Sequence, residues 1–310
     1  MQILEKTDFK NLGEKYTGKV RDVYDQGDKL ILIATDRYSA FDVNLALIPC
    51  KGQALTQISN FWFEKTKDIV QNHVLALPDP NVVVAKKCKL IPIEMVVRAY
   101  ITGVTRTALW VFYQDGKRDF GDFVLPDGLK KNQKLEKPIL TPTTKGKEED
   151  KPITSKEILE QKIVSPELWN ELVDIAFKLF ARGQEVAREH GLILVDTKYE
   201  FGLDENGKLT LIDEVHTPDS SRYWKAGSYE ERFNKGEEPE YFDKEFLRLW
   251  FKANCNPYKD KILPKAPEDM VEELSNRYIN IYEQITGEKF VKENGDILAR
   301  IENNLKSYRV

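Results

Sequence analysis

Cysteine, histidine, long apolar runs and any excess of basic charge are all scarce in this 310-residue chain. No apolar stretch approaches the roughly 18 residues that a membrane-spanning helix needs, so no span is expected. Lys and Arg number 47 against 51 Asp and Glu, a formal net charge of −4. That balance lacks the basic field that nonspecific nucleic-acid binding requires. Cys50, Cys88 and Cys255 are scattered, with neither the even count of a disulfide framework nor the paired spacing of a zinc site. With only His73, His190 and His216, no histidine-based metal cluster can be drawn. The first residues carry neither a signal-peptide apolar region nor an Arg-rich transit pattern, which makes the cytoplasm the expected compartment. G-x-x-x-x-G-K-[ST] and G-x-G-x-x-G are both missing, so neither the P-loop nor the Rossmann mechanism applies.

What is present is the composition of an ordinary soluble globular protein, 41% hydrophobic and 32% charged, long enough for one large or two medium domains. Residues 14 to 100 read as mostly strand: Lys15–Tyr24, a turn at Asp25-Gln-Gly-Asp28, Lys29–Thr35, Asn81–Lys89 and Ile91–Tyr100, with Pro92 at the last junction. An amphipathic helix over about Ala54–Asn72 interrupts them, burying Leu55, Ile58, Phe61, Trp62, Ile69 and Val70. Residues 113–153 are rich in Gly and Pro and read as a loop region, functional or mobile. A capping box at Thr154-Ser-Lys-Glu157 and an N-cap at Ser165-Pro166 open the second half, the latter starting a helix that Gly191 stops near His190. Further helices are expected near Asp243–Ala253 and Pro267–Thr286, where Tyr241, Phe242, Phe246, Trp250 and Phe251 have core spacing. The outline is α+β: a β-rich lobe (1–112), the loop region (113–153) and an α+β lobe (154–310), with a cleft between the lobes.

The strongest local signal is a hairpin. Leu192-Ile-Leu-Val-Asp-Thr-Lys-Tyr-Glu-Phe-Gly202 and Leu211-Ile-Asp213 flank Asn206-Gly207, a pair that favours a two-residue loop. That loop puts Glu200 directly opposite Asp213, with Cβ atoms roughly 4.5–5.5 Å apart. Two carboxylates that close repel by about 3 kcal/mol at an effective dielectric near 20, a cost a hard cation would remove. Alternation adds Asp196 and Lys198 to the same face, while Val195, Tyr199, Phe201 and Ile212 pack on a core. His216 falls on the face opposite the acidic pair and is not assigned to the metal. An acidic face can also be plainly solvated; the four aliphatics Leu192 to Val195 argue for burial instead.

Other motifs are weaker alone. Lys19 and Arg21, in Gly18-Lys-Val-Arg-Asp-Val-Tyr24, share a strand face and could grip polyphosphate, although basic pairs on strands are more often simply solvated. Asp36-Arg-Tyr-Ser-Ala-Phe-Asp42 leaves a buried strand end and suits either a cleft or a plain turn. Arg98 follows Met95-Val-Val, and a buried Arg needs an internal carboxylate or an anionic ligand. The loop Asp219-Ser-Ser-Arg222 carries the groups that a phosphorylated ligand would use.

Five motifs, Gly18-Lys-Val-Arg-Asp-Val-Tyr24, Asp36-Arg-Tyr-Ser-Ala-Phe-Asp42, Val96-Val-Arg-Ala-Tyr-Ile-Thr-Gly103, Asp196-Thr-Lys-Tyr-Glu-Phe-Gly202 and Asp213-Glu-Val-His-Thr-Pro-Asp-Ser-Ser-Arg222, in order along nearly the whole chain, resemble the SAICAR synthetase family of purine biosynthesis, in its longer plant-like and bacterial form. The resemblance implies that ATP, L-aspartate and carboxyaminoimidazole ribonucleotide (CAIR) give the succinocarboxamide SAICAR, ADP and phosphate through a phosphorylated carboxylate. It implies Mg²⁺ at Glu200 and Asp213, catalysis by these two with Lys198, and ATP at Gly18, Lys19, Arg21, Leu90 and Glu94. By the same matching Arg98, Asp219, Ser220, Arg222, Asp36, Ser39 and Asp150 contact substrate. It also implies a kinase-like ATP cleft. Two positions depart from the family pattern: Val104 stands where a Ser is usual, with Thr105 able to supply the hydroxyl, and Glu149-Asp150 replaces His-Asp. A small-molecule kinase, which would transfer phosphate without aspartate, and a nucleotide-binding protein without catalysis are the competing classes.

Overall fold

Residues 14–34 form a meander of β1 (Glu14–Thr17), β2 (Arg21–Asp25) and β3 (Lys29–Ala34). The single strand expected over Lys15–Tyr24 is therefore two: the Gly18 amide donates to the Arg21 carbonyl at 2.8 Å and closes a turn over 18–20. Lys19 sits in that turn rather than beside Arg21 on one strand face. The computed structural model describes residues 2–41, 43–145, 150–242, 245–293 and 295–310.

β4 (Arg37–Ala40) and β5 (Val43–Leu47) make a small two-stranded sheet, followed by α1 (Lys51–Thr66). The helix ends at Thr66 rather than Asn72, where the Ile69 amide closes a tighter turn on the Thr66 carbonyl at 2.9 Å. Val70 still reaches the core, so the apolar period outruns the helix. β6 (Val74–Asp79) and β7 (Val82–Lys86) complete a five-stranded antiparallel sheet in the order β1-β2-β3-β7-β6.

β8 (Lys89–Ile101) belongs to the second sheet. Pro92 lies inside it rather than at a junction. Its missing amide is tolerated because the pairing with β12 (Leu192–Leu203) shifts register between Glu200 and Gly202, skipping that position. The stretch read as loop holds α2 (Leu109–Gln114), β9 (Gln133–Leu140), β10 (Thr143–Thr144) and β11 (Lys151–Pro152). Next come α3 (Ser155–Glu160), opened by the expected Thr154/Glu157 capping box, and α4 (Pro166–Glu189), capped by Ser165. β13 (Leu209–Ile212) and β14 (Ser221–Lys225) pair with the two halves of β12 along the edge opposite β8, and α5 (Ala226–Lys235), α6 (Glu245–Asn254), α7 (Glu268–Thr286) and α8 (Ile297–Asn304) close the chain.

The fold is α+β. The apolar stripe of α4 (Trp169, Leu172, Ala176, Leu179, Phe180) packs on the Met95, Val97, Val195, Tyr199 and Phe201 face of β8 and β12. Covering one face leaves the other to a cleft. α6 and α7 bury Leu247, Phe251, Leu274 and Tyr278 against Tyr38, Ala54 and Leu55, and α8 seats Ile301 and Leu305 under the first sheet. No helix among the described residues is long and apolar enough to cross a membrane.

Candidate active site

Alternation along β12 aims Asp196, Lys198 and Glu200 into the cleft, and the antiparallel register sets Arg98, Val96 and Glu94 of β8 directly beside them. Glu94 thus faces Glu200, a like-charged pair, and Lys198 relieves it: its Nζ lies 2.6 Å from Glu94 and 3.5 Å from Glu200. Burial disfavours charge on Lys198, but Glu200, Glu94 and Asp213 outweigh it and hold its pKa above the ordinary lysine value. Lys198 is a fixed cation and cannot serve as a base.

The hairpin register differs from expectation by one residue. Glu200 pairs with Ile212, not Asp213. The loop has three residues, Glu205-Asn-Gly207, with Gly207 in the left-handed region at φ 74°, and the Asp204 amide bonds the Lys208 carbonyl at 3.0 Å. Asn-Gly therefore ends a longer loop in place of forming a two-residue one. Ile212 moves to the cleft side, and an extended Asp213 would point to the core. Asp213 instead adopts φ 67°, a left-handed turn that sends its carboxylate back beside Glu200. A backbone kink delivers what the register does not.

Burial and then Asp213 push the Glu200 carboxyl up, with Lys198 and Lys145 pulling against them. Burial acts the same way on Asp213, but Arg21, Lys198 and Lys145 overcome it and bring Asp213 down to about 2. Arg21 pairs with Asp213 and lies 3.4 Å from Glu214; Lys145 pairs with Glu200. Two oxygen-donor side chains whose charges repel, with no third ligating side chain among the described residues, fit Mg²⁺, which takes one or two carboxylates and completes its shell with phosphate and water.

At the other end a single carboxylate, Asp196, serves two guanidiniums: Arg98 at 3.3 Å and Arg222. Arg98 also donates to Thr141 Oγ1 at 2.8 Å. Arg222 also lies 3.9 Å from Glu245, which Arg248 meets at 3.3 Å, so three cations over two carboxylates leave positive charge for a ligand. Ser220 lies in a turn whose amides at 220 and 221 donate to the Thr217 carbonyl (3.1 and 2.8 Å). These groups line a cleft of about 890 Å³ together with Gly18, Lys19, Arg21, Ser39, Thr105 and Asp150.

Three expected contacts come out differently. Asp36 is 2% exposed and outside the cleft lining; it accepts the Leu4 amide (2.8 Å) and the Gly52 amide (3.0 Å), tying the N-terminal segment to the start of α1. Leu90 is 42% exposed and does not line the cleft. Asp219 borders it, but its side chain is only 4% exposed, turned to Lys51 and Tyr278. Val104 lines a small neighbouring cavity behind Arg222, and Glu149 lies outside the described residues. His216 is fully buried, as its face predicts, bonded to Tyr199 Oη at 2.5 Å.

Lys145, Arg106, Arg248 and Tyr258 also line the cleft and carry no signal at sequence level; Glu214 lines it too and sits inside the Asp213–Arg222 motif, which assigns it no role. Lys51 carries one only with the helix starting there and not at Ala54: a cation at the first position of a helix opposes the helix dipole and demands a partner.

The sequence profile of SAICAR synthetase matches residues 14–265. The phosphoribosylaminoimidazole-succinocarboxamide synthase of Legionella pneumophila (strain Paris) is 56% identical over 298 residues, 96% of each chain. The chloroplastic enzyme of that name from Arabidopsis thaliana is 58% identical over 278 residues, 90% of this chain and 68% of the plant protein. Among solved structures, SAICAR-synthase from Saccharomyces cerevisiae complexed with SAICAR aligns with a TM-score of 0.79 at 35% identity, over 93% of this chain and 100% of the yeast chain. A type-2 SAICAR synthetase in complex with ADP aligns with a TM-score of 0.69 at 26% identity, over 90% and 100%.

Proposed function

The chain belongs to the SAICAR synthetase family, ligases of purine biosynthesis, and from that premise we propose that it joins L-aspartate to CAIR at the expense of ATP, giving SAICAR, ADP and phosphate. A relative bound to SAICAR and another bound to ADP support these small-molecule ligands. The observation that carries the reading is the division of one strand face. Asp196 with its two arginines stands four residues along β12 from Glu200 and Asp213, about 13 Å at strand rise. Such a face can hold a nucleotide monophosphate at one end and a metal-bound triphosphate at the other.

In this reading the turn at Gly18 and Lys19, with Arg21, grips the triphosphate, and Glu94 borders the nucleotide. Arg98, Arg222 and Ser220 hold the ribonucleotide, with Ser39 and Asp150 on the remaining wall. Glu200 and Asp213 would hold Mg²⁺, which when bound offsets charge on the phosphoryl group in transfer. The CAIR carboxylate oxygen attacks the γ-phosphorus and ADP leaves. The aspartate amine then attacks the acyl carbon, phosphate departs, and an amide forms with loss of a proton. Lys198, held protonated between two carboxylates, supplies fixed positive charge beside the transferring group.

ADP release from Mg-ATP and CAIR, with and without L-aspartate, tests this, alongside product absorbance. Stoichiometric ADP and SAICAR only with aspartate are expected. ADP formation indifferent to aspartate would make the protein a small-molecule kinase, and nucleotide binding without turnover would make it a binding protein.

A further inference from the structure

Lys51 stands out among the described residues. It is fully buried (0% exposed) at the first position of α1, where the helix dipole already concentrates positive charge. Its Nζ lies 2.9 Å from Asp219 Oδ2, an ion pair whose geometry falls short of a directed hydrogen bond. A buried pair of this kind is a poor source of stability, since well-packed apolar residues usually do as well. The other oxygen, Oδ1, accepts the phenol of Tyr278 at 2.6 Å. Tyr278 stands on α7, beyond residue 265 where the family match ends. α7 is itself anchored to the start of α1, with Ser275 Oγ donating to the Pro49 carbonyl at 2.6 Å.

All of this converges on one short turn. Asp219 is the third residue of Thr217-Pro-Asp-Ser-Ser-Arg222, whose Ser220 and Arg222 face the cleft. Its carboxylate is turned away from the ligand space, so its effect on a ligand must run through the backbone it anchors.

We propose that Lys51 and Tyr278 are positioning residues that fix the 217–222 turn through Asp219, so that α7 sets the affinity of the cleft for the ribonucleotide. The inference rests on the ligase reading above. Tyr278→Phe in the full chain keeps the buried ring and removes the bond to a charged acceptor. KM for CAIR is expected to rise roughly tenfold, while KM for ATP, kcat and the thermal midpoint stay within about twofold or a few degrees. Asp219→Asn also takes away the charge that answers Lys51, so KM for CAIR is expected to rise at least as far, with a lower thermal midpoint because a buried cation loses its partner. In the double variant Tyr278→Phe should add little to Asp219→Asn, because the charged acceptor of its hydrogen bond is already gone. An unchanged KM for CAIR in a folded Tyr278→Phe, or an equal rise in KM for ATP, overturns the proposal and leaves α7 a purely structural brace. Failure of the ligase reading shows separately, as a wild-type protein without aspartate-dependent ADP release.

Discussion

Asp213 joins two demands that seldom meet in one residue. Its φ of 67° lies where Asn, Asp and Gly are the residues most readily accommodated, and its carboxylate supplies half of the acidic pair. Asp213→Asn therefore keeps the backbone turn and removes the charge. The variant is expected to hold its thermal midpoint while kcat falls at least about 100-fold, the scale of losing one preorganised electrostatic contact. Circular dichroism melts and steady-state ADP release check the two halves, and a fully active Asp213→Asn would remove the acidic pair from the mechanism. The identity of the residue was legible in the sequence and its route into the cleft was not. The two-residue loop read from Asn206-Gly207 gave the right neighbours through the wrong register, because a left-handed residue undoes a slip of one position.

Among the elements, β12 and α4 fit together through a missing side chain. A Cβ on Gly183 would come within 2.4 Å of His216 Cε1 and 2.6 Å of Leu194 Cδ2. The imidazole cannot yield, being bonded to Tyr199 Oη and set edge-on to Trp62 at 4.7 Å. On an exposed helix Gly→Ala gains about 1 kcal/mol; here Gly183→Ala is expected to lose about 1–3 kcal/mol. Urea denaturation decides it, and a variant as stable as wild type would mean that the helix shifts freely on the sheet. The strand Leu192–Leu203 and the helix behind it were readable because one shows period two and the other carries an N-cap, Pro and stop signal. β9 was not: Gln133-Lys-Leu-Glu-Lys-Pro-Ile-Leu140 mixes Pro with three charges and pairs only with β8, across a register shift, so tertiary pairing makes the strand. Likewise the Gly18 turn splits an unbroken β-prone run that no local pattern divides. Asp36 and Asp219 were singled out for their residue type and motif, and both spend their carboxylates on the scaffold, a distinction invisible without partners.

For the whole molecule, two buried histidines tie stability to pH. Burial lowers His73 to about 4 and His216 to about 3. In the unfolded chain both protonate near 6.5. Below that value the unfolded state binds more protons, so stability is full at higher pH and falls as the pH drops. Each group costs about 1.4 kcal/mol per pH unit, or about 3 kcal/mol for both between pH 7.5 and 5.5. Glu200, Glu214 and Asp36, whose carboxyls are pushed up chiefly by burial, act the other way and flatten the slope toward the carboxylate range. Guanidinium denaturation at the two pH values measures the loss; a flat profile would mean that the imidazoles take up protons in the folded protein as readily as in the unfolded chain.

The pairs Arg21–Asp213 and Lys145–Glu200 have a consequence for how ligands enter. A divalent ion arriving alone must displace both cations from these carboxylates, with Glu214 still 3.4 Å from Arg21. Triphosphate arriving alone must draw the same cations away and leave both carboxylates to Lys198. Arriving together, the two exchange partners with the protein in one step and every charge is answered. Nucleotide and metal are therefore expected to bind with strong synergy, read by calorimetry as an ATP affinity at least about tenfold greater in magnesium than in EDTA; equal affinities would show that the resting pairs survive binding. The cleft would then act as an AND gate for two ions of opposite sign, nearly deaf to either by itself.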